Sequence, residues 1–130
     1  MPTNTGRVPL AAPGGIPAAW APGWRALLET RWQTRLEEVT ELALAYHDVT
    51  AAGGEEQPRA RRLLRRVVAS RRALADTEDA LARLSAGTYG RCEDCGGGIP
   101  AEVLAVTPES RYCPRCAAKD PPAAPPRPLR

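Results

Sequence analysis

Phenylalanine is missing from this 130-residue chain, and three Trp and three Tyr are its whole aromatic complement, so a large aromatic core is excluded. Ten of the 14 prolines lie in residues 1–22 and 121–130, where packed structure is not expected, and the foldable part shrinks to about residues 24–119. A unit of that size and composition buries a modest core and gains from a further staple such as a metal ion. No apolar run approaches the length of a membrane span, and Pro9, Pro13 and Pro17 interrupt the N-terminus where an export signal needs a continuous apolar stretch. These absences predict a soluble, cytoplasmic protein with no membrane partner. Histidine is represented by His47 alone, beside Asp48 and without a nearby Ser or Cys nucleophile, so it reads as a surface residue. Gly96-Gly97-Gly98 lacks the following lysine and helix that a phosphate loop requires. The chain is not expected to be an enzyme.

What is present is strongly patterned. From Trp24 to about Thr50, Leu28, Trp32, Leu36, Val39, Leu42, Tyr46 and Val49 recur at three- and four-residue steps, the stripe of an amphipathic helix. Arg35 occupies a seam position that Leu36 is expected to cover. Gly53 and Gly54 stop this helix, and Pro58 suits the first turn of the next. A second stripe follows as Ala60, Leu63, Val67, Leu74, Leu81 and Leu84, weakened at Ser70 and Thr77 and ended by Gly87. Two long helices with one apolar face each, joined by a tight turn, must pair antiparallel.

Charge is uneven within a formal net of +3: residues 59–72 hold seven arginines and no acid, while Glu37, Glu38, Glu41, Asp48, Glu55 and Glu56 precede them. Antiparallel pairing predicts flanking ion pairs between the two runs. The alternative is that Arg59, Arg61, Arg62, Arg65 and Arg66 contact phosphates of nucleic acid, since guanidinium forks match phosphate geometry.

Cys92 and Cys95 form one pair with two residues between them, Cys113 and Cys116 form another, and 17 residues separate the pairs. That is the spacing of a four-thiolate site for one structural zinc ion, all four positions being filled by protein so that no activated water has a place. Gly96 stands where a positive backbone angle would let amides reach the sulfurs, and Pro114 stiffens the second turn. Arg91, Arg111 and Arg115 are placed to offset the net charge of −2 on a zinc tetrathiolate.

The segment from Ala80-Leu81-Ala82-Arg83-Leu84 through Gly87-Thr88-Tyr89-Gly90-Arg91-Cys92-Glu93-Asp94-Cys95-Gly96, Ile99-Pro100 and Pro108 to Tyr112-Cys113-Pro114-Arg115-Cys116 resembles the DksA/TraR family of bacterial transcription regulators. The resemblance covers about residues 80–119 and is architectural upstream of them. It implies a protein that binds RNA polymerase, the hairpin entering the secondary channel and acidic tip residues approaching the catalytic centre. The tip offers Asp48, Glu55 and Glu56 in place of the family's paired aspartates followed by alanine, and Glu102-Val103-Leu104 stands where an arginine is usual after the Ile-Pro. The expectation is a mainly α protein: a disordered arm at 1–22, an antiparallel two-helix coiled-coil hairpin at 23–87, a four-cysteine finger at 88–119 and a disordered Pro-rich tail at 120–130. An interaction adaptor using the finger or the tail is a further alternative.

Overall fold

The computed structural model describes residues 16–119, so the N-terminal arm as far as residue 15 and the Pro-rich tail fall outside the described residues. A 3-10 turn at Ala18–Trp20 leads into α1 (Ala21–Ala51), followed by α2 (Pro58–Ala86), α3 (Ala101–Val106) and α4 (Pro114–Lys119). No strand forms among the described residues; one isolated antiparallel bridge joins Arg91 and Gly98.

The hairpin begins earlier than its periodicity suggests. Pro22 lies in the first turn of α1, where its missing amide proton leaves no helical bond unmade. Residues 16–22, read from sequence as part of a flexible arm, are instead folded onto the base: the Ile16 amide donates to the Tyr89 carbonyl at 3.2 Å, and Ile16, Ala21 and Trp24 pack on the core. At the far end Gly53 adopts φ 83° with its amide bonded to the Thr50 carbonyl at 2.9 Å, and the Gly54 amide reaches the Val49 carbonyl at 3.0 Å. A Cβ on Gly54 would sit 2.7 Å from that same carbonyl, so the double glycine is demanded by the turn. Pro58 opens α2, and Gly87, left-handed at φ 83°, closes it with the Thr88 amide bonded to the Arg83 carbonyl at 2.9 Å.

Two apolar clusters hold the arms together. A distal one gathers Leu42, Leu63 and Val67 with Ala45, Tyr46 and Val49 against them. A basal one gathers Leu28, Ala80, Leu84, Tyr89, Ile99 and Leu104 with three of the cysteines. Between them polar side chains interrupt the seam, with Arg31 and Arg35 half-buried on α1 and Ser70 and Thr77 buried on α2. The two weak points of the second stripe are buried: Ser70 donates to the Val67 carbonyl at 3.1 Å and Thr77 is fully enclosed. Leu36 does not cover Arg35; it stays 36% exposed, and the Arg35 guanidinium is met from outside the hairpin.

The expected ion pairs between the acidic end of α1 and the arginines of α2 do not form among the described residues. Helical geometry explains the difference. At about 100° per residue, Glu37, Glu41 and Asp48 lie roughly 125–165° round α1 from the line of Leu28, Leu42 and Tyr46 that faces α2. These three acids therefore look away from the arginine run, and Glu38, which lines a depression with Arg66, makes no ion pair with it.

Candidate metal centre

The finger grows from the end of α2. Gly90, at φ 84°, turns the chain, and the Ile99 amide returns to its carbonyl at 2.7 Å. The first cysteine pair sits in the tight turn between them. The Cys92 amide donates to the Gly97 carbonyl at 2.7 Å, and the Gly96 amide to the Cys92 carbonyl at 3.0 Å, with Gly96 at φ 79° as its position in the motif anticipates. The second pair lies at the start of α4, with Pro114 in its first turn. A bond of 2.8 Å from the Glu93 amide to the Arg111 carbonyl draws the two segments together.

The result is convergence of all four sulfurs, each within 4.8 Å of the others, with Cys92, Cys113 and Cys116 buried and Cys95 exposed. Amides of Asp94, Gly97 and Cys116 point at the sulfurs of Cys92, Cys95 and Cys113, each at 3.4 Å. Burial pushes the Cys92 thiol up, but the amides around it outweigh that and bring it below the usual thiol range; Cys113 is lowered mainly by the Cys116 amide. Cys116 is pushed the other way, by burial and by the surrounding sulfurs. Four thiolates so close repel one another unless a cation sits among them, and this donor set, sulfur only and tetradentate, fits zinc. The Cys92, Cys95, Cys113 and Cys116 side chains are thus placed to hold one zinc ion, which when bound ties the two turns together as a structural cross-link.

Of the three arginines near the ligands, one is engaged away from the sulfurs. Arg111 is taken by α2, bonding Asp79 at 2.8 Å and Asp76 at 3.3 Å, with Glu93 at 3.5 Å. Arg91 and Arg115 are exposed.

The residues that dock the finger on the hairpin were not singled out in the sequence. Glu109, with its side chain 9% exposed, accepts two bonds from Arg31 at 2.8 and 3.0 Å and one from Thr77 at 2.8 Å, and lies 3.6 Å from Arg35. One carboxylate from the finger thereby grips both arms. Burial pushes this carboxyl up, but the bonds from Arg31 and Thr77 and the charges of Arg31 and Arg35 win, holding it below the ordinary range. Beside it, the buried Tyr89 hydroxyl donates to the Pro108 carbonyl at 2.8 Å, and its ring meets Trp24 at 5.7 Å between centroids. The signal for this clamp was present in the sequence as the polar interruptions of the apolar stripes, Arg35 and Thr77.

Asp48, Glu55 and Glu56 are exposed and lie together at the opposite end of the hairpin from the sulfurs, Asp48 in the last turn of α1 and the glutamates in the connecting loop. Arg59, Arg62, Arg65 and Arg66 are exposed on α2 and make no ion pair among the described residues, while Arg61 donates to the Glu56 carbonyl at 2.9 Å. No described helix is long and apolar enough to cross a membrane.

Comparison with known proteins agrees with this geometry. Residues 87–121 match the model of the prokaryotic dksA/traR C4-type zinc finger. An uncharacterized protein of Aquifex aeolicus (strain VF5) is 46% identical over 44 residues, which are 34% of this chain and 30% of that relative, so the likeness spans under a third of its length. The structure of transcription factor DksA2 from Pseudomonas aeruginosa superposes with a TM-score of 0.71 over 79% of this chain and 84% of that one, at 24% identity. The four converging cysteines therefore lie in a segment similar to the dksA/traR C4-type zinc finger, at the base of a helical hairpin whose fold is similar to that of DksA2.

Proposed function

We propose that this protein is a non-enzymatic transcription regulator that binds RNA polymerase in the cytoplasm, its hairpin reaching into the secondary channel while the finger stays outside as a rigid grip. The observation that carries the reading is the projection of the hairpin beyond the finger. From Arg31, level with the clamp, to Ala51 at the turn is 20 residues, about 30 Å of helix. That reach is braced at one end by zinc and Glu109 and carries Asp48, Glu55 and Glu56 at the other. Acidic groups so placed suit magnesium-bound or basic groups deep in a channel.

The test is co-elution of zinc-loaded protein with core RNA polymerase, set beside a duplex-DNA shift at two salt concentrations. Polymerase binding without a DNA shift is the expected result. A salt-sensitive DNA shift without polymerase binding would reject the proposal and favour phosphate contact by Arg59, Arg61, Arg62, Arg65 and Arg66. For the tip, the combined Asp48→Ala, Glu55→Ala and Glu56→Ala variant is expected to keep docking and lose any effect on transcription. An unchanged transcriptional effect refutes the acidic-tip role.

A further inference from the structure

The distal half of the hairpin has two unlike sides. On one, a groove of about 490 Å³ runs between the arms, with Tyr46, His47 and Thr50 of α1 facing Leu64, Val68 and Arg71 of α2. Its lining is mainly apolar, and Leu64 and Val68 are 44% and 53% exposed although Val67 beside them is buried. These two aliphatic side chains, left in water at successive turns of one helix face, give the groove an apolar floor open to contact. Toward the base this side continues past Leu36 to Trp32, whose indole nitrogen donates to Glu78 at 3.0 Å. The open stretch from Leu36 to Thr50 is 14 residues, about 21 Å, room for a helix of about four turns.

The border of this groove is positive. Arg65 and Arg72 flank Leu64 and Val68 at three- and four-residue steps along α2, Arg71 lines the groove itself, and none of the three has an acidic partner among the described residues. The acids of α1 do not neutralise it. Glu37, Glu41 and Asp48 lie roughly 130–170° round the helix from the groove-lining Ala43, Tyr46, His47 and Thr50, at about 100° per residue. Glu38 belongs to the other side, where it lines a shallow depression with Arg35 and Arg66.

From this pairing of an aliphatic floor with a one-signed rim, we propose that the distal groove is a docking site for an acidic amphipathic helix of a partner protein. Apolar residues of that helix at i, i+3, i+4 and i+7 fill the floor over Leu64, Val68 and Tyr46, and its flanking carboxylates meet Arg65, Arg71 and Arg72. An aliphatic floor favours this occupant over a nucleic-acid strand, whose bases call for flat aromatic platforms. The site does not depend on the polymerase reading, since any partner carrying such a helix qualifies.

The experiment uses the zinc-loaded full chain and a labelled peptide of about 16 residues, leucine along one helical face and glutamate on its flanks, followed by fluorescence anisotropy at two salt concentrations. Three controls share its length: the glutamates replaced by lysine, the leucines replaced by serine, and a single-stranded oligonucleotide. Binding on the order of micromolar is expected for the acidic peptide, weakened about tenfold or more by either peptide change. Leu64→Ser with Val68→Ser, both at exposed positions, and Arg65→Glu with Arg72→Glu are each expected to weaken it about tenfold, with circular dichroism unchanged. Amide shifts confined to the groove residues complete the supporting result. The proposal is overturned if the acidic peptide does not bind at about millimolar protein, if the lysine peptide binds equally well, if the groove variants bind as the wild type does, or if only the oligonucleotide binds.

Discussion

The Glu109 clamp yields the sharpest prediction. Glu109→Gln keeps the shape and removes the charge, so one of the two oxygens that Arg31 meets at 2.8 and 3.0 Å becomes an amide NH2 that cannot accept, and the nearby Arg35 loses its counter-charge at 3.6 Å. The Nε of Arg35 is buried and without a hydrogen bond, and Glu109 is the one acid in ion-pair range of it among the described residues. Charge-assisted bonds contribute about 1.5–3 kcal/mol each, but the Arg31 side chain is 35% exposed and rehydrates when released, so the sum must be discounted. We expect a net loss of roughly 2 kcal/mol at pH 7, which for an ordered unit of about 100 residues lowers the melting temperature by roughly 8–16 °C.

The pH dependence follows from the direction of the shift. A carboxyl held below its ordinary range in the folded state stabilises that state fully above the unfolded value, about 4.3, and loses the contribution as pH falls through the lower folded value. Wild type minus Gln variant is therefore expected to be flat from neutrality to about pH 5 and to shrink below it. Urea unfolding of zinc-loaded proteins across that range isolates the difference, since other acids titrate in both. A Gln variant within about 0.5 kcal/mol of wild type at pH 7 would refute the reasoning. So would a gap that widens with acid.

Two further outcomes test the base. Cys92→Ser or Cys113→Ser is expected to abolish stoichiometric zinc by elemental analysis and to speed amide exchange through residues 88–118 while the distal cluster of Leu42, Leu63 and Val67 stays helical; metal-free wild type that melts like the loaded protein refutes the structural role. Gly90→Ala is expected to cost about 1–3 kcal/mol, because φ 84° disfavours a side chain and the new Cβ would lie 2.8 Å from Ile16 Cγ1; faster proteolysis near residues 16–20 should accompany the lower melting point, and an unchanged melt rejects this packing.

The metal site and the hairpin were legible because both are written locally. Two intervening residues decide how a cysteine pair turns, Gly53, Pro58 and Gly87 act through their own backbone angles, and Gly54 acts through the lack of a Cβ beside the Val49 carbonyl five positions earlier. The start of α1 was misplaced because Pro22 looks the same in a disordered arm and in the first turn of a helix. The anticipated ion pairs failed for an angular reason: adjacency of two charge blocks in antiparallel order does not say on which side of each helix the charges stand. The clamp was out of reach because Glu109 meets Arg31 across 78 positions, and no local pattern records such a meeting. What the sequence did record was its imprint, since Arg35 and Thr77 interrupt their stripes where a carboxylate from elsewhere arrives.

That arrival bears on sliding between the arms. Helices packed through small or evenly spaced side chains can jump along each other by one turn, about 5.4 Å, at modest cost. Here a third element touches Arg31 on one arm and Thr77 on the other through a single carboxylate, 2.8 Å from each. A one-turn jump would have to abandon one of those contacts, so the finger works as a detent that fixes how far the rod extends.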